Sequence, residues 1–126
     1  MIKGIGLDLT EIDRIQGLWD KYGHKFARKI LTDGELAQLP KKFPVPRLAA
    51  LFAGKEAAVK ALGTGFSQGV HFKTIEILHA PSGKPEIRFF GRGLERLHEI
   101  GAVGGHITLT HSRDTAAATV VVEGLD

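Results

Sequence analysis

The segment that most constrains this chain runs from Pro46 to Leu62, where apolar residues recur at helical spacing until Gly63. At about 100° of turn per residue, Leu48, Leu51, Phe52, Ala58, Val59 and Leu62 fall on one stripe, with Lys55 near its middle. Pro46 suits the first helical turn and Gly63 the stop. Lys55 in the stripe requires an anionic partner, because an unpaired buried ammonium is strongly unfavourable. Glu56 and Lys60 sit one turn apart on the shoulder of the stripe, where they can meet each other or converge on a third group.

The remaining pattern supplies the other elements. Ile2 to Leu9 alternates Ile5, Leu7 and Leu9 against Gly4, Gly6 and Asp8, predicting a strand whose second face carries two glycines and then a carboxylate. Thr10 with Asp13 resembles a capping box for a helix that repeats Ile12, Ile15, Leu18, Trp19 and Tyr22 and stops at Gly23. Thr32 with Glu35 opens a short helix to about Leu39, which the proline-rich stretch Pro40 to Pro46 breaks. The second half reads as a hairpin, Thr74 to Leu78 and Glu86 to Phe90 around Pro81 to Pro85, then a helix from about Gly93 to Ile100. Strands His106 to Thr110 and Thr115 to Glu123 follow, joined at His111 to Asp114. The order β-ααα-ββ-α-ββ is α+β, a mostly antiparallel sheet packed on a long helix.

With 126 residues the chain is expected to form one domain, residues 1–126, around one core. No apolar run approaches the roughly 18 residues of a membrane span, and the N-terminus lacks a signal-peptide layout. There is no cysteine, which excludes disulfides and thiolate metal sites and fits a cytoplasmic address. The net charge of +3 is modest, but Lys21, Lys25, Arg28, Lys29, Lys41, Lys42 and Arg47 crowd one third of the chain and suit an acidic partner.

Several motifs are absent. Gly63, Gly65 and Gly69 have the wrong spacing for a dinucleotide loop and follow a helix rather than a strand. His98-Glu99 lacks the second histidine of a zinc-protease motif, since residue 102 is Ala. What remains is a pair of carboxylates, Asp8 at a strand end and Glu56 in the long helix. Taken alone, Asp8 reads as a cap and Glu56 with Lys60 as a surface ion pair. Together they suit magnesium, which commonly takes one or two carboxylates and completes its shell with water and substrate phosphates.

Four blocks carry a family resemblance that runs nearly end to end: Gly6-Leu7-Asp8 with Glu11 to Ile15, Phe52 to Gly65, Gly83-Lys84-Pro85, and Thr108 to His111. Together they resemble holo-acyl-carrier-protein synthase. The resemblance implies transfer of the 4'-phosphopantetheine arm of coenzyme A to a serine of apo acyl carrier protein in fatty-acid biosynthesis, releasing 3',5'-ADP, with magnesium held by Asp8 and Glu56. It further implies catalysis by Glu56 and Lys60. Coenzyme contacts would come from Lys55, Lys60, Gly63, Thr64, Gly65, Lys84, Pro85 and His111, with Lys55 alternatively a structural anchor. Arg14, Lys21, Lys25 and Arg28 would dock the carrier, and a homotrimer would share each site between subunits.

Three positions depart from the family pattern: Leu51 for arginine, Gly54 for alanine and Thr115 for an aromatic. A glycine inside a helix costs about 1 kcal/mol relative to alanine, so Gly54 implies close packing or backbone approach there. The competing reading of the basic cluster is a small module binding RNA or an acidic protein. Nucleic acid is not the expected partner, since the aromatic interleaving needed for base stacking is missing. A third reading is a family member that binds coenzyme A but no longer transfers.

Overall fold

The computed structural model describes residues 1–126. Strand β1 (Ile2–Glu11) leads into helices α1 (Ile12–Tyr22), α2 (His24–Ile30), α3 (Asp33–Gln38) and the long α4 (Val45–Leu62). A single 3-10 turn at Phe72–Thr74 then precedes hairpin β2 (Ile75–His79) and β3 (Pro85–Phe89), helix α5 (Gly91–Glu99), and strands β4 (Gly104–His111) and β5 (Thr115–Glu123). The architecture is the expected mixed one with antiparallel strands. Its order is β-αααα-ββ-α-ββ, because α2 lies where the sequence pattern predicts no helix.

Two antiparallel sheets surround α4: a three-stranded sheet ordered β1-β5-β4, and the β2-β3 hairpin beside β4. One cluster of 27 buried apolar residues fills the space between them. Helix α4 is covered on nearly every side rather than along one stripe; only Lys60 is exposed, with Pro46, Arg47 and Glu56 half-buried. Such an all-round apolar surface belongs to a central helix. Gly54 explains itself at this point, since a Cβ there would lie 2.6 Å from Ile77 Cδ1. Leu51, in place of an arginine, is a core residue at 1% exposure.

Strand β1 reverses the usual rule for an alternating strand. Its apolar residues Ile5, Leu7 and Leu9 face outward and are exposed, while Gly4 and Gly6 face α4. A Cβ on Gly6 would fall 1.8 Å from Ala57 O, and one on Gly4 2.1 Å from Ala61 O. The strand and helix backbones therefore touch, with alanine on one side and glycine on the other.

The capping signals divide. Thr32 and Glu35 form the full box: Glu35 N donates to Thr32 Oγ1 at 3.3 Å, and Thr32 N to Glu35 Oε1 at 2.8 Å. Thr10 does not cap α1. The strand continues to Glu11, and Thr10 Oγ1 donates to Asp8 Oδ2 at 2.9 Å instead.

Candidate active site

The glycine face of β1 sets the site. Because α4 lies directly on Gly4 and Gly6, the next inward side chain on the strand, Asp8, emerges beside the turn of α4 that carries Glu56 and Lys60. Lys60 Nζ donates to Asp8 Oδ1 at 3.2 Å and to Leu7 O at 3.0 Å. Of the partners open to Lys60, the structure selects this third group rather than Glu56. The pair is unequal in exposure, 53% for the lysine side chain and 15% for the aspartate, so Asp8 is held while Lys60 reaches from solvent.

Glu56 is half-buried. Burial raises its carboxyl above the ordinary range and the charge of Asp8 adds to this, while Lys60 and Arg14 act in the opposite direction. A half-buried carboxyl raised in proton affinity beside a second carboxylate, with two cations around it, forms a site of the kind that supports chemistry rather than stability. Arg14 closes one side, its guanidinium 5.4 Å from the centroid of the Phe52 ring. No three His, Cys, Asp or Glu side chains gather as a metal-ligating group.

Past Lys60 the helix ends in Gly63 at φ 78°, followed by Gly65 at φ 60°. Both values lie in the left-handed region that side chains disfavour. Thr64 N and Gly65 N each donate to Val59 O at 3.3 Å, and Thr64 Oγ1 donates to Gly65 O at 2.8 Å. The result is an exposed, open backbone one turn beyond the Asp8–Lys60 pair.

Lys55 is corrected from coenzyme contact to anchor. It is fully buried, and its ammonium donates to Glu35 Oε1 at 2.6 Å, Ile30 O at 2.8 Å and Phe72 O at 2.9 Å, which uses all three of its protons. Glu35 is the anionic partner the sequence demands, and its Oε2 accepts from Ile77 N at 2.7 Å. Burial lowers the lysine's proton affinity, and the glutamate partly restores it.

Lys84, Pro85 and His111 are not brought to this cluster within one chain. Lys84 and Pro85 line a cleft of about 330 Å³ between β3 and β4. His111 lines another of about 370 Å³ with Phe43, Arg47 and His79. Neither cleft contains Asp8, Glu56 or Lys60. Arg47 and His79 were not singled out as site residues from the sequence, although Arg47 belongs to the basic cluster. Burial first, and then the charge of Arg47, lower the proton affinity of His79, whose Nδ1 has no partner.

The docking candidates lie on α1 and α2, next to Arg14. Lys25, with Lys29, borders a groove of about 290 Å³ floored by Leu18, Tyr22 and Phe26. Lys21 Nζ stands 5.3 Å over the Tyr22 ring, and Arg28 lines a separate groove beside Trp19 and His24. The basic residues are thus spread around an amphipathic face.

The family model of the 4'-phosphopantetheinyl transferase superfamily matches residues 4–120. A holo-[acyl-carrier-protein] synthase of Maridesulfovibrio salexigens is 58% identical over 123 residues, covering 98% of this chain and 99% of the relative. The crystal structure of the Neisseria meningitidis holo-[acyl-carrier-protein] synthase superposes with a TM-score of 0.86 at 43% identity, covering 98% of this chain and 99% of that one. The Bacillus anthracis synthase, solved in complex with CoA (3',5'-ADP), gives 0.80 at 34% identity, covering 99% of each. The chain therefore belongs to the holo-acyl-carrier-protein synthases, a transferase family within the 4'-phosphopantetheinyl transferase superfamily.

Proposed function

We propose that this chain transfers the 4'-phosphopantetheine group of coenzyme A to a serine hydroxyl of apo acyl carrier protein, releasing 3',5'-ADP, as a step in cytoplasmic fatty-acid biosynthesis. The observation that carries this reading is the meeting of Asp8 and Lys60 beside a half-buried Glu56 whose proton affinity is raised. Residues 1–126 act as one catalytic domain. No helix is long and apolar enough to cross a membrane.

The donor set fits magnesium: two hard carboxylate oxygens, one raised in proton affinity by burial and then by the charge of the other, and an open side for water and phosphate. Bound there by Asp8 and Glu56, the ion would neutralise charge on the coenzyme's pyrophosphate. Glu56 takes the proton of the carrier serine, whose oxygen attacks the phosphorus bearing the pantetheine arm. The bond from that phosphorus to the oxygen bridging to 3',5'-ADP breaks as the new ester forms. Lys60 stabilises the charge growing on the transferring and leaving oxygens, releasing Asp8 to do so.

Arg14 and the basic face of α1 and α2 present the carrier to Glu56, with Lys21, Lys25 and Arg28 steering an acidic partner. The glycine loop lets the backbone at Gly63, Thr64 and Gly65 approach the coenzyme. Lys84, Pro85 and His111 contribute its nucleotide contacts from a neighbouring subunit, with Arg47 as the cation of the His111 cleft. A homotrimer is supported by the separation of these clefts from Asp8 and Glu56, and by the exposed apolar strip Ile5, Leu7 and Leu9. Incubation with coenzyme A, magnesium and apo carrier protein should raise the carrier's mass by one phosphopantetheine at its serine. An unmodified carrier across several apo carriers removes the reading.

A further inference from the structure

The loop from Gly63 to Gly69 has an unusual backbone. Gly63, Gly65, Gln68 and Gly69 have φ values of 78°, 60°, 57° and 83°. Gln68 is not a glycine, so its left-handed conformation costs about 1–2 kcal/mol and persists only if its surroundings impose it. The loop has little packing of its own. Gly65, Ser67, Gln68 and Gly69 are exposed, and the aromatic contact is Phe66 on Phe72, with centroids 4.1 Å apart.

Helix α5 provides the restraint. Arg92, Arg96 and Glu99 fall at i, i+4 and i+7, on one face of the helix. Arg92 Nε donates to Gln68 O at 2.9 Å, and the Arg92 side chain lies so close to Gly69 that a Cβ there would sit 2.9 Å from Arg92 Cγ. At the other end of the loop, Arg96 Nε donates to Leu62 O at 3.0 Å, one of the C-terminal carbonyls that α4 leaves without an intrahelical donor. Glu99 ties the two arginines together. Its carboxylate takes a fork from Arg92 at 2.9 and 3.1 Å and lies 3.6 Å from Arg96. Those bonds hold the Glu99 carboxyl below its ordinary range, so it stays ionised. The helix itself is fixed by buried Leu97 and by Gly93, where a Cβ would come within 2.9 Å of Thr74 O.

We infer that Arg92, Arg96 and Glu99 are positioning residues for coenzyme binding: they hold the two ends of the Gly63–Gly69 loop, and so fix the backbone against which an anionic pyrophosphate ligand docks. The inference rests on reading that loop as part of the coenzyme site. Its content is the geometry of the clamp, not its charge, and the two make opposite predictions. Glu99→Gln removes a negative charge near an anionic ligand, which by field alone would tighten binding. As a loosened clamp it weakens binding. Arg92→Lys keeps the charge but loses the planar fork, so field alone predicts little change and the clamp predicts weakening.

The experiment measures KM for coenzyme A, KM for the carrier, kcat, and amide hydrogen exchange over residues 63–69 in the full chain. Glu99→Gln and Arg92→Lys should each raise KM for coenzyme A about five- to tenfold and leave kcat and carrier KM within about twofold, since a loop displaced by a fraction of an ångström loses binding alignment. The loop amides should exchange faster in both variants. A lowered or unchanged KM for coenzyme A overturns the inference even if exchange quickens, because the loop would then be held without mattering to the ligand. A parent protein that neither binds coenzyme A nor modifies a carrier overturns the proposed function itself and the clamp with it, and this is seen before any variant is compared.

Discussion

Lys55 Nζ lies 2.6 Å from Glu35 Oε1, with both side chains fully buried. This pair is the knot of the fold next to the site. Lys55 also holds Ile30 O at the end of α2 and Phe72 O in the 3-10 turn, while Glu35 caps α3 and receives Ile77 N from β2. Four elements are thereby tied to α4 one residue before Glu56.

Breaking that pair should be severe. Lys55→Met leaves Glu35 as an uncompensated buried charge and takes one donor from each of three acceptors, and should lower unfolding free energy by about 3–5 kcal/mol. Urea denaturation measures this directly. A loss under about 1 kcal/mol would show that the interior tolerates the unpaired glutamate.

The backbone contact between β1 and α4 predicts intolerance at Gly6. Gly6→Ala puts a methyl 1.8 Å from Ala57 O, so the strand and helix must separate. Destabilisation of about 3 kcal/mol is expected, the upper part of the overpacking range. Activity should fall by more than the folded fraction does, because Asp8 moves away from Lys60 and Glu56. Gly17→Ala, where a methyl meets nothing within 4 Å, is the control and should be stable and active.

Glu56 should reduce stability at neutral pH. Its folded-state proton affinity lies above its ordinary value of 4.5, so between the two values the folded chain binds more protons than the unfolded one. Stability therefore falls as pH rises through that window, and the loss is complete above the folded value. Glu56→Gln should raise Tm relative to the parent near pH 7.5, with the difference shrinking toward pH 4, where the acid is protonated in both states. Thermal melts at both pH values test this. The same variant should be inactive, and magnesium should raise the parent's Tm but not the variant's.

The proposed sharing of the site between subunits has a sharp consequence. Glu56→Gln and His111→Ala should each be inactive alone, yet a one-to-one co-refolded mixture should recover about a quarter of the parental rate, since random assembly of a cyclic oligomer pairs two intact halves at one interface in four. No recovery would confine the site to one chain. Leu7→Glu, which charges the exposed apolar strip, should abolish both the proposed oligomer, read by light scattering, and the activity.

Periodicity and turn chemistry were enough to identify β1, α1, α3, α4, the β2-β3 hairpin, α5, β4 and β5, because each has an apolar repeat bounded by glycine, proline or a capping residue. Helix α2 was not legible. His24 to Ile30 is only two turns long, has no side-chain cap and reads as a basic run, and it is held as a helix by burial of Ala27 and Ile30. The candidacy of Asp8, Glu56 and Lys60 was visible in the residues and in the family blocks they belong to. That Lys55 needed an anion followed from desolvation; that the anion was Glu35, 20 positions away, did not.

Spacing and residue type by themselves determined the elements other than α2, the long helix and the buried lysine's need, since these depend on local geometry and on the cost of dehydrating charge, while the family was carried by the resemblance of four motif blocks. The tertiary structure alone decided which face of β1 is inside, that Lys60 meets Asp8, that Lys55 has no proton left for a ligand, and that His111 lies in a separate cleft. These outcomes depend on how closely two distant backbones approach, which here is set by glycine meeting alanine, and no alternation of apolar and polar residues records that distance.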